Sequence, residues 1–115
     1  MERTFFTTPI ITEHLKKSMD VAVYTQSLDR IETWLSTHGL QVEDYRLQSL
    51  SNHVMEMVNR AHKQAPLTGL DVSMFADIGP VAYDLANELC VLMFQQVIPD
   101  EAGLLSVHFE VMLNG

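Results

Sequence analysis

Apolar residues recur at intervals of three and four along almost the whole chain, and no segment alternates convincingly with period two. That spacing gathers apolar side chains on one stripe of an α-helix and leaves nothing for a half-buried strand to use. Tyr24, Leu28, Ile31 and Leu35 form one stripe, with Gly39 as a stop signal. Leu47, Leu50, Val54, Met57, Val58 and Ala61 form a second, which ends before Pro66. Val81, Leu85, Leu89 and Leu92 follow Pro80, and Leu104, Leu105, Val107, Val111 and Met112 follow Pro99, where proline suits a first helical turn. Asp100 and Glu101 in that last first turn complement the helix dipole. The pattern predicts an all-α bundle of five helices, near Thr12–His38, Glu43–Gln64, Leu70–Phe75, Val81–Val97 and Asp100–Leu113.

A chain of 115 residues with 47% hydrophobic and 19% charged residues is expected to make a single globular domain spanning 1–115. One cysteine excludes a disulfide framework and a Cys-rich zinc site, and suits a reducing compartment. No apolar run approaches the roughly 18–20 residues of a membrane span, and the opening MERTFFTTPI lacks the apolar core of a secretory signal. A cytoplasmic protein with no membrane contact is expected. The formal net charge is −8, and it is unevenly spread. After Lys63 there is no Lys or Arg, while Asp71, Asp77, Asp84, Glu88, Asp100, Glu101 and Glu110 follow. A phosphate-backbone binder needs clustered cations, so direct nucleic-acid binding is excluded as an expectation. The acidic half reads as a solvated surface before it reads as a docking face.

Five histidines occur, of which His38 and His62 lie near helix ends and His14 has no obvious partner. His108 falls inside the apolar arc of the last helix, where a ring nitrogen needs a partner or a face that opens. A satisfied core histidine is the plain alternative for it. His53 falls at the edge of its apolar stripe, on the flank of Arg60, and Glu56 is within i,i+4 reach of that arginine. On pattern alone, His53 is a rim residue beside an ion pair.

The segments Leu50-Ser51-Asn52-His53-Val54, Val58-Asn59-Arg60, Val81-Ala82-Tyr83-Asp84-Leu85-Ala86 and PDEAGLLSVHF (99–109) resemble the phosphotransferase-system regulation domain, or PRD. That family occurs in bacterial antiterminators and activators of sugar operons. The likeness covers roughly residues 43–114, and its most specific piece is PDEAGLLSVHF. It implies a five-helix domain that dimerises and whose histidines accept phosphoryl groups from the histidine-containing phosphocarrier or a sugar permease component. His53 matches the family's first histidine and His108 its second; Arg60, with Arg46, would be the cation to stabilise a phosphoryl group. The family commonly has Asp before the first histidine, where this chain has Asn52. The family's regulators usually join two such domains to a nucleic-acid-binding module, whereas this sequence reads as one domain.

A phosphorylation-responsive homodimeric module is the leading expectation. An adaptor that keeps only the fold is the alternative. An enzyme or metal protein has little support: His53-x-x-Glu56 is a reversed and solitary version of the Glu-x-x-His spacing of bundle metal sites. No phosphate loop, nucleophile elbow or Cys-His pair in a catalytic context is visible, so no catalytic residue, metal or cofactor is expected.

Overall fold

A computed structural model of the chain describes residues 4–115; Met1, Glu2 and Arg3 lie outside the described part. Five α-helices follow one another: α1 (Thr8–Lys17), α2 (Val21–Thr37), α3 (Asp44–His62), α4 (Pro80–Phe94) and α5 (Pro99–Asn114). A single 3-10 turn, Val72–Phe75, lies between α3 and α4, and no strand occurs among the described residues. None of these helices is long and apolar enough to cross a membrane.

Helix α3 is the hub. It packs against α1, α2, α4 and α5, while α4 and α5 pair most extensively with each other. Its stripe of Leu47, Leu50, Val54, Met57 and Val58 is buried. So are Tyr24, Leu28, Ile31 and Leu35 of α2, as their spacing predicts. Trp34 of α2 stacks at a tilt on Phe109 of α5, with centroids 5.3 Å apart, and closes the core at that end. Gly39 takes φ +61°, the left-handed conformation that ends α2, and the N–H of Leu40 returns to the carbonyl of Leu35.

Three local expectations are corrected. The predicted first helix, Thr12–His38, is two helices broken at Ser18-Met19-Asp20. No glycine or proline marks the break, because a residue of α3 makes it. Asn59 donates from Nδ2 to the carbonyl of Lys17 (3.0 Å) and accepts from the N–H of Met19 on Oδ1 (2.7 Å). It thereby satisfies the end of α1 and the linker at once, while Asp20 caps α2 by accepting from Val23 N–H. The predicted third helix shrinks to the 3-10 turn. It is seated by contact: a Cβ at Gly103 would lie 2.3 Å from the Phe75 ring, so only glycine lets Phe75 lie flat on α5. Helix α4 stops at Phe94 rather than Val97, because Gln95 turns left-handed at φ 61°. On α4 the buried stripe is Ala82, Leu85, Ala86, Leu89, Cys90 and Met93, so Val81 stays exposed.

The α1–α2 joint yields the first prediction. Asn59→Ala removes two solvent-exposed hydrogen bonds whose backbone partners then turn to water, a net loss of about 0.5–1.5 kcal/mol for each bond. Urea unfolding is expected to register that loss, together with faster amide exchange at Met19. Unchanged stability and exchange would mean that Asn59 does not set the break.

Candidate functional site

The seam between α3 and α5 brings the two singled-out histidines together within one chain. The His53 and His108 rings lie 5.0 Å apart between centroids, with planes tilted by 55°. The helical wheel placed His108 inside and His53 at the rim, and the structure reverses that order. Helix α5 turns Leu105, Phe109 and Met112 inward, which leaves Val107, His108 and Val111 on its outer flank. Helix α3 is central, so its His53 flank is covered by α5. The Nε2 atom of His53 is shielded from solvent and has no hydrogen-bond partner.

A groove of about 290 Å³ opens beside the pair. Tyr45, Arg46 and Ser49 of α3 face Val107, His108 and Val111 of α5 across it, and His53 is not part of its lining. His108 is therefore the ring that the groove reaches.

Beneath the histidines lies an ion pair. Glu101 is fully buried, and its carboxylate takes two hydrogen bonds from Arg60, Nε to Oε2 and Nη2 to Oε1, each 2.7 Å. Such a bidentate fork is the strongest geometry an arginine offers a carboxylate. Oε2 of Glu101 also accepts from the N–H of Leu67 at 3.0 Å. Asp100 beside it accepts from Leu70 N–H at 3.2 Å, so the two acids hold the loop that follows α3. Reading them as partners of the helix dipole alone missed this role. The sequence gives Arg60 and Glu101 no visible link across 41 positions. Arg60 has a looser contact of 4.0 Å with Glu56, at the i,i+4 spacing the sequence suggested. Glu56 in turn accepts from Asn52 Nδ2 at 2.6 Å.

Burial, the neighbouring His108 and the Arg60 guanidinium push the His53 pKa down from 6.5 to about 4, partly opposed by Glu101. Burial also lowers that of His108. Both rings are thus neutral at pH 7 and keep a lone pair free for an electrophile. The remaining histidines lie elsewhere. His14, for which the sequence showed no partner, meets Ser51 Oγ through Nδ1 at 2.7 Å, and the same hydroxyl meets the Tyr24 hydroxyl. His38 caps α2 and packs on Trp34 at 4.8 Å.

No family model matches the chain, and no curated protein matches it significantly. Among solved structures it is similar to a PRD-containing transcription regulator from Lactobacillus casei, with a TM-score of 0.78 and 25% sequence identity. The match covers 92% of this chain and 94% of that one. The fold is of the PRD type. At that coverage the likeness reaches beyond the segments that carry the sequence resemblance. The PRD-type scaffold also accounts for the two histidine segments meeting, since α3 and α5 are the helices that carry them.

The depressed His53 pKa yields a pH prediction. Its folded value, about 4, lies below the ordinary 6.5, so between these values the unfolded chain binds more protons than the folded one. The contribution is complete above about pH 6.5 and is lost as pH falls toward 4. Urea unfolding at pH 4.5 is expected to show about 2–3 kcal/mol less stability from this residue than at pH 7. The same comparison in His53→Gln should lack that share. An equal acid loss in both proteins would place His53 outside the buried seam.

Proposed function

We propose that the protein is a PRD-like regulatory module whose histidines, His53 and His108, accept phosphoryl groups from phosphotransferase-system proteins and thereby modulate sugar-responsive gene regulation. The observation that carries this reading is the contact between the two rings in one PRD-type domain, at the mouth of a groove. A neutral imidazole is a competent nucleophile, and the phosphoryl group it gains brings nearly two negative charges. Such a charge on a packed seam must find cations or loosen the packing. Arg60 and Arg46 are the cations nearest to hand, on the helix that bears His53. The donor in this reading is the histidine-containing phosphocarrier or a sugar permease component, which places the protein in the cytoplasm. No turnover, metal or cofactor belongs to it.

Homodimerisation is part of the proposal. Val107, Val111 and Tyr45 remain exposed along the groove, at 38%, 40% and 59%, and make an apolar flank that the monomer's own core does not use. His108 stands on that flank, so charge gained there would act on a subunit contact.

A second reading is supported by a specific feature. The Nε2 atom of His53 is shielded, and Arg60 is already matched by Glu101, so the seam is complete without phosphate. That arrangement suits an adaptor that keeps the fold and has lost the chemistry.

Phosphate-affinity electrophoresis separates the two. After incubation with phosphoenolpyruvate and the phosphocarrier system, or with a phosphorylated permease component, the wild-type chain is expected to shift. The double variant His53→Ala/His108→Ala is expected not to shift. A wild-type chain that remains unmodified with both donors overturns the first reading in favour of the adaptor.

A further inference from the structure

The two ends of the α3–α5 seam differ in chemistry. The helices run antiparallel: Glu101 meets Arg60 at one end, His108 lies against His53, and Val111 and Met112 face Arg46 at the other. At the first end the arginine is committed, through its bidentate fork, to the buried Glu101. At the other the groove stands open, and Arg46, Ser49 and His108 line it together. Resting on the reading above, we propose that a phosphoryl group on His108 lies in this groove and is held there by the Arg46 guanidinium and the Ser49 hydroxyl, while Arg60 stays with Glu101.

Access and placement both favour that site. Nε2 of His53 is shielded, whereas no nitrogen of His108 is both shielded and unpartnered among the described residues. His108 is thus the ring that a donor reaches, and the groove of about 290 Å³ beside it leaves room for a phosphoryl group. Arg46, Ser49 and His53 stand at i, i+3 and i+7, on one face of α3. His108 packs against the last of the three, so a group added on its groove side faces the other two.

Arg46 is held loosely enough to take up this task. Its nearest carboxylate is that of Glu43, one turn back, at 4.0 Å. The Glu43 side chain is 69% exposed, and a surface pair of that kind grips its arginine weakly. The guanidinium also lies 5.3 Å from the centre of the Tyr45 ring, whose face supports a cation without neutralising it. A phosphoryl dianion offers the same guanidinium two charge-assisted hydrogen bonds, and the Ser49 hydroxyl can donate a third. Arg60 could offer as much only by leaving the carboxylate of Glu101 buried and uncompensated.

The covalent step balances with a nitrogen-bound phosphoryl donor, either a phosphohistidine or phosphoramidate. The lone pair of the neutral His108 ring forms the new P–N bond as the donor's P–N bond breaks. The electron pair of the broken bond stays with the leaving nitrogen. The proton on the other nitrogen of His108 passes through water to that leaving nitrogen. The modified ring ends uncharged, so the charge that the groove must answer is that of the phosphoryl oxygens, nearly two negative charges at neutral pH. One arginine and one hydroxyl suit that load.

The test needs no partner protein. The full chain is treated with phosphoramidate, a small donor that modifies accessible imidazoles, and the label is placed by peptide mapping. Phosphorus NMR then follows the titration of the bound phosphoryl group, whose ordinary second pKa is about 6. A guanidinium in contact favours the dianion, so Arg46→Gln is expected to raise the midpoint by about 1 unit. Arg46→Lys should keep most of the wild-type value, and Ser49→Ala should raise it by less than Arg46→Gln does. In the wild-type chain, labelling should shift the side-chain Nε–Hε signal of Arg46 and leave that of Arg60 in place, which decides the matter even if a variant folds poorly. A label on His108 whose midpoint is the same in Arg46→Gln, or a shift of the Arg60 signal in place of that of Arg46, overturns the assignment and leaves the regulatory reading standing. A label on His53 alone, or none at all, overturns it too. If the phosphocarrier system also fails to modify the chain, the regulatory reading falls with it.

Discussion

The bidentate pair of Arg60 and Glu101 is the interaction on which the functional end of the molecule depends. A fully buried carboxylate is tolerable only when it is paired and its remaining lone pairs are used. Both conditions hold, through the two hydrogen bonds from Arg60 and the one from Leu67. The pair ties the last turn of α3 to the first turn of α5. That tie sets the register of the two helices, and the register brings His53 against His108. Deleting one partner of such a buried pair costs about 3–5 kcal/mol, because the other charge is left uncompensated. The seam is therefore stiff where the chemistry would happen.

The same pair explains why the histidines behave unequally. Arg60 faces His53 and disfavours a second positive charge there, and burial acts in the same direction. His108 is lowered by burial alone and lies on the outer flank of α5. One ring is thus held neutral and covered, while the other is neutral and open to the groove. A phosphoryl group near Arg60 would enter a site in which Glu101 already occupies the guanidinium. Competition for that one cation links the histidines to Glu101, and through Glu101 to the loop that begins beyond α3.

Much of this fold is legible in the sequence because helical periodicity reports burial directly. The predicted stripe of α2 is buried throughout and that of α3 all but Ala61, although Ser27, Trp34, Ser51 and Met55 are buried beside them. The likeness carried by PDEAGLLSVHF also falls on the right elements, and Gly103 within it has a physical reason in the Phe75 ring. What escaped the sequence depends on distant partners. The break between α1 and α2 is made by Asn59, some 40 residues on, and carries no local breaker. Glu101 looks like a solvated helix-terminal acid until its arginine is seen. The relative depth of His53 and His108 could not be read from either helix alone. It depends on which helix is central, and only the packing decides that.

The central claim is that His53 and His108 form one buried, neutral pair within a single chain. Long-range proton–nitrogen NMR of the imidazole side chains, followed through a pH titration of the wild-type chain, tests it most directly. The account predicts that His53 stays a neutral imidazole well below pH 6 and titrates near 4, with its signals shifting when the His108 ring titrates. A His53 that titrates at the ordinary value near 6.5, with no response to His108, would contradict the account.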